Sequence, residues 1–128
     1  MIDESKALRG ARLLVVDDRP ENLDLVRQAL ESAGCDEVLV ATTGERALRT
    51  ALSQVPELIL LDVLLPGMDG FETCRKLKQE EMTRAIPVIF LTALDEVEHL
   101  ATGFAAGGAD YITKPFRREE VLLRVELH

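Results

Sequence analysis

The 128-residue sequence contains two cysteines, no tryptophan and a single tyrosine, and its 15 lysines and arginines are outnumbered by 23 aspartates and glutamates. The resulting charge of −8 argues against nucleic acid as the direct ligand, because affinity for a phosphate backbone comes largely from Lys and Arg neutralising it. No stretch approaches the ~20 consecutive apolar residues of a membrane span. The segment from Met1 to Gly10 carries Asp3, Glu4, Lys6 and Arg9 where an export signal would place a basic region followed by an apolar one. A soluble cytoplasmic protein is expected. Cys35 and Cys74 lack CxxC spacing and a nearby histidine, so reduced structural thiols are expected rather than a metal or redox pair.

What is present is a globular composition, 47% hydrophobic and 30% charged, sufficient for one core in a chain of ordinary domain length without disulfides. Short apolar runs alternate with longer amphipathic stretches, the pattern of a parallel sheet covered by helices on both faces. The runs are Leu13–Val16, Val38–Val40, Leu58–Leu61, Val88–Leu91 and the weaker Tyr111–Ile112. Between the first two, Leu23, Val26, Leu30 and Ala33 keep helical spacing, with Pro20 in the first turn and Gly34 as the stop. Val97, Leu100, Ala101, Phe104 and Ala105 form the clearest helical stripe, ended by Gly107-Gly108. Further helices are predicted near 44–54, 70–80 and 117–127. Residues 1–10 read as an N-terminal extension and 11–128 as the domain proper. The last helix reaches His128 without a stop signal, so the domain is expected to be one module of a longer protein.

In an open α/β sheet, ligands bind at the carboxyl ends of the strands, so the residues after each run carry the functional expectation. They are Asp17-Asp18, then Asp62, Thr92, and Thr113-Lys114-Pro115; the second run ends in uncharged Ala41-Thr42-Thr43. Four of the five strand ends thus bring three carboxylates, a hydroxyl and an ammonium to one edge. Clustered carboxylates repel, and a bound cation is the simplest way to keep them ionised. With oxygen ligands and no Cys or His, Mg²⁺ fits best; an EF-hand calcium loop would instead show acids at alternate positions of one segment. A carboxylate, a hard divalent ion, a lysine and a hydroxyl are the parts of a phosphoryl-transfer site, with Asp62 the natural acceptor.

Taken singly, these residues have simpler readings. Asp17-Asp18 ahead of Pro20 also reads as helix-capping material, and Asp62 as a strand terminator. Pro66-Gly67-Met68-Asp69-Gly70 is turn chemistry under any function. Tyr111 also reads as a half-buried strand residue. His99 reads as a solvated helix residue, and Phe71, Cys74 and Leu77 as core.

Together, Leu14-Val15-Val16-Asp17-Asp18, Asp62 followed by Leu65-Pro66-Gly67-Met68-Asp69-Gly70, Leu91-Thr92-Ala93, and Tyr111-Ile112-Thr113-Lys114-Pro115-Phe116 resemble the receiver domain of bacterial two-component response regulators. The resemblance covers residues 11–127. It implies a doubly wound, flavodoxin-like α/β fold, a five-stranded parallel sheet of order 2-1-3-4-5 with helices on both faces. It also implies Asp62 as phosphoacceptor, Asp18 and Asp62 binding Mg²⁺ directly, Asp17 partly through water, and Leu64 giving its backbone carbonyl to the ion. Thr92 matches the switch hydroxyl, Lys114 the pattern's lysine, Tyr111 the switch aromatic, and the Lys114–Pro115 bond would be cis. The implied partners are a sensor histidine kinase or phosphotransfer protein, an output domain beyond residue 128 or a partner protein, and a second copy through the fourth helix, fifth strand and fifth helix.

The function expected is regulatory rather than that of a turnover enzyme. A phosphatase with an Asp nucleophile needs an acid/base Asp two residues later and an enclosing cap; Leu64 holds that position and the chain has no spare length. A receiver-like interaction module that no longer takes phosphate is the alternative, which the complete set of acceptor, metal and lysine positions disfavours. Leu64 and Leu94 cannot orient a hydrolytic water, so slow autodephosphorylation is expected.

Overall fold

The computed structural model describes residues 8–93 and 100–128. Its elements alternate along the chain: β1 Arg12–Val16, α1 Pro20–Ser32, β2 Glu37–Ala41, α2 Gly44–Gln54, β3 Leu58–Asp62, α3 Gly70–Gln79, β4 Val88–Thr92, α4 Leu100–Ala105, β5 Asp110–Thr113 and α5 Arg118–Leu127. The five strands form one parallel sheet of order β2-β1-β3-β4-β5, as the apolar runs and the family resemblance anticipate. Val97, His99 and Leu94 lie outside the described residues.

Alternation along each strand sends successive side chains to opposite faces and so divides the core in two. Leu13, Val15, Leu58, Leu60, Ile89 and Leu91 pack with α1 and α5 through Leu23, Val26, Leu30, Val121 and Val125. Leu14, Val16, Ile59, Leu61, Val88 and Phe90 pack with α2 and α3 through Ala47, Ala51, Phe71, Cys74 and Leu77. The three central strands are therefore apolar on both faces, which explains why their runs are continuous rather than alternating. β2, at the edge, is less covered, and Val40 is exposed.

Local chemistry sets the element ends. Pro20 occupies the first turn of α1, where its missing N–H costs nothing. Gly34, at φ 94°, lets the chain leave α1 while Cys35 donates its N–H back to the Leu30 carbonyl. The side chains of Thr43 and Asp69 cap α2 and α3 by accepting from the Arg46 and Glu72 amides. Leu8, assigned by sequence to a leading extension, packs into the α1 and α5 side of the core, and its N–H donates to Ala33 O at 2.9 Å. Both cysteines are buried free thiols, and burial pushes the Cys74 pKa up to about 11. No helix among the described residues is long and apolar enough to cross a membrane.

Candidate functional site

Strand register alone brings the polar residues together. Val16 pairs with Leu61, Asp62 with Leu91, and Thr92 with Thr113, so the residues that follow the apolar cores of β1, β3, β4 and β5 emerge at one edge. Asp17 and Asp62 are buried there and Asp18 is exposed. One carboxylate oxygen from each of the three lies within 4.8 Å of the others. Asp18 and Asp62 bound a cleft of about 460 Å³ lined also by Arg19, Asn22, Leu64, Ala93 and Lys114.

Lys114 supplies the counter-charge. Its Nζ lies 3.2 Å from Asp62 Oδ1 and 3.9 Å from Asp17 Oδ2. The backbone holds it in place through the Lys114 N–H, which donates to the Thr92 carbonyl at 2.7 Å. The Lys114–Pro115 bond is cis. Asp62 Oδ1 also accepts from the Leu64 N–H at 3.2 Å. Asp17 is fixed by the Arg19 N–H at 3.0 Å and Asn22 Nδ2 at 3.2 Å. Thr92, almost fully buried, donates its hydroxyl to the Ala93 carbonyl at 3.3 Å. Leu64, by contrast, stands 62% exposed at the cleft.

One ammonium does not balance this much negative charge. Burial, followed by the neighbouring Asp17 carboxylate, pushes the Asp62 pKa up to about 7, against the opposing pull of Lys114 and the Leu64 amide. The acids are thus held close at an electrostatic cost that a hard divalent cation would relieve, and an all-oxygen donor set suits such an ion. Among the described residues this is the sole cluster of three possible metal ligands.

The sequence-assigned residues Asp17, Asp18, Asp62, Leu64, Thr92 and Lys114 all belong to this edge, whereas Tyr111 lies apart from the cleft. It stands half-buried between Phe90 and Phe104, with ring centroids 5.6 and 5.1 Å away. Sequence reasoning missed Arg19 and Asn22, which steady Asp17 from the start of α1. Their signal was faint: a polar residue five positions after Asp17, in the first turn that Pro20 begins. It also missed Gly70, where an added Cβ would run into the backbone of Asp62 and Val63. Only glycine allows α3 to start that close to the end of β3.

Comparison with known proteins agrees with this geometry. Residues 13–126 match the family model of the response regulator receiver domain. The DNA-binding dual master transcriptional regulator RpaA of Synechocystis is 46% identical over 114 residues, 89% of this chain and 47% of RpaA. The chain spans about half or less of the curated relatives it matches. A putative response regulator from Chloroflexus aurantiacus superposes with a TM-score of 0.87 at 37% identity, covering 91% of this chain and 95% of that one. The receiver domain of the Pseudomonas aeruginosa sensor histidine kinase PA1611, with magnesium in its active-site cleft, gives 0.80 at 34%, covering 91% and 94%. The chain belongs to the response regulator receiver domain family.

Proposed function

We propose that Asp62 is the phosphoacceptor of this receiver domain and that Asp17, Asp18 and Asp62, with the Leu64 carbonyl, hold Mg²⁺. The observation that carries this reading is the meeting of three carboxylates with the Lys114 ammonium, 3.2 Å from Asp62, at the carboxyl edge of the sheet. Magnesium in a related cleft of the PA1611 receiver supports the choice of ion. When bound, it neutralises the acidic cluster and the oxygens of an incoming phosphoryl group.

The donor is a phosphohistidine on a sensor kinase or phosphotransfer protein, or a small acyl phosphate. An Asp62 oxygen forms a bond to phosphorus as the phosphorus–nitrogen bond of phosphohistidine breaks, and the departing imidazole takes up a proton. Lys114 stabilises charge on the transferred group, and the Thr92 hydroxyl turns from the Ala93 carbonyl to a phosphoryl oxygen. Phosphate thereby biases an equilibrium between two arrangements of the α4–β5–α5 surface, with Tyr111 as the moving aromatic. That surface carries exposed Phe104, Leu123 and Leu127 beside the Asp110–Arg124 ion pair, and is the face offered to an output domain, partner or second copy. The domain's role is regulatory, in the cytoplasm, and any enzymatic or DNA-binding output belongs to another part of the protein or to a partner.

Incubation with acetyl phosphate should give a Mg²⁺-dependent adduct that peptide mass spectrometry assigns to Asp62; label on another residue, or none, overturns the reading. The exposed Leu64 side chain cannot position an attacking water. Leu64→Asn, which adds a donor and an acceptor at that point, is expected to speed loss of the phosphoryl group about tenfold. The check is the decay of labelled protein after removal of the donor, and equal decay in both proteins would refute it.

A further inference from the structure

Gly103 lies buried inside α4, although glycine is a poor helix former and alanine a better one. The reason is local crowding. A Cβ at this position would run into the Tyr111 phenol oxygen and stand 3.0 Å from both Phe71 Cε1 and Phe90 Cε2. Those rings form a continuous row, Phe71 against Phe90 at 5.1 Å, Phe90 against Tyr111, and Tyr111 edge-on to Phe104. At its far end Phe71 follows Gly70, which abuts the Asp62 backbone and donates its N–H to the Val63 carbonyl at 2.9 Å. The row therefore spans the distance from the acceptor strand to α4, and the Tyr111 hydroxyl fills the notch left by the missing side chain.

We propose that Gly103 is the positioning residue for Tyr111: its bare Cα admits the phenol against α4, and any side chain there evicts the ring. The consequence for signalling rests on the reading of Tyr111 as the switch aromatic, whereas the positioning does not. Eviction separates Tyr111 from Phe90, so the α4–β5 surface would lose its link to the acceptor strand even in a protein that still takes phosphate.

Because the chain has no tryptophan and one tyrosine, tyrosine fluorescence and phenolate absorbance report Tyr111 alone. In Gly103→Ala, acrylamide quenching should rise several-fold. The phenol pKa, which burial raises in the wild type, should return to about 10, the ordinary value. Alanine favours helix, so unfolding does not mimic this result, and circular dichroism checks it. Gly103→Ala should also lower the urea midpoint in the wild type and lower it much less in a Tyr111→Phe background, where the obstructing oxygen is gone. Unchanged quenching and titration, or additive midpoints, would overturn the proposal. Acetyl phosphate with Mg²⁺ should shift Tyr111 emission in the wild type and leave it unmoved in Gly103→Ala. A wild-type protein that is phosphorylated without any shift refutes the switch reading, while the positioning of Tyr111 is decided separately by the phosphate-free quenching.

Discussion

Asp62→Asn is expected to abolish labelling by acetyl phosphate and, in metal-free buffer at pH 8, to make the fold more stable than the wild type by about 4 kcal/mol. Loss of activity and gain of stability have one cause. The Asp62 pKa stands near 7 in the native protein against about 4 in an unfolded chain. Between those values the native state binds more protons than the unfolded state, so wild-type stability falls as pH rises from about 4 to about 7. Above that window the full penalty of an ionised, buried Asp62 beside Asp17 remains. Asparagine occupies the same space without the charge, so its advantage should be absent near pH 4 and complete at pH 8. On the proposed reading Mg²⁺ binds only the native wild type, so adding it should narrow the gap through ligand linkage. Urea midpoints at both pH values, with EDTA and then with Mg²⁺, measure all of this. A variant equally stable at pH 8, or one that still takes label, would contradict it.

Lys114→Met is expected to act in the opposite direction on stability. It keeps the aliphatic stem and removes the only cation within 4 Å of Asp62 among the described residues, leaving two buried carboxylates facing each other. Breaking a buried pair by deleting one partner costs roughly 3 kcal/mol or more. Because Lys114 pulls the Asp62 pKa down, its removal drives that pKa further above 7. The loss of stability should therefore be large at pH 8 and small at pH 5, where Asp62 is protonated in both proteins. Labelling should slow by about a hundredfold, the usual effect of deleting one preorganised charge-stabilising group. Equal losses at the two pH values would mean that Lys114 serves packing rather than charge.

The contrast between these two substitutions shows why so much of the site could be read from the chain. Parallel strands buried on both faces must be apolar along their whole length, so the first polar residue after each run marks a strand end, and parallel pairing gathers those ends at one edge. Asp17, Asp62 and Thr92 announce themselves this way, and Asp18 and Lys114 stand one position further on. Features set by close packing give no such signal. Gly70 and Gly103 look like a turn residue and a helix defect until the Asp62 backbone and the Tyr111 phenol are seen against them. Asn22 looks like an ordinary first-turn polar residue and Arg19 contributes only its backbone N–H, so nothing local shows that either meets Asp17. Leu8 reads as part of a charged leader, since one apolar residue makes no periodicity, yet Ala33 and the α1 and α5 core receive it. β5 is short and only partly buried, so its apolar run shrinks to Tyr111-Ile112 and gives the weakest strand signal of the five.

The sheet register has a consequence for the quality of the signal. Asp17 and Asp62 are 45 positions apart along the chain and become neighbours only through the β1–β3 pairing, while Lys114 arrives only when β5 has joined β4. Under the proposed reading, a copy that has lost the β1–β3 pairing lacks the paired acids, and one that has lost the β4–β5 pairing lacks the lysine that assists transfer. Competence to take phosphate is thereby tied to completion of the sheet, because no single segment of the chain carries both the acids and the lysine.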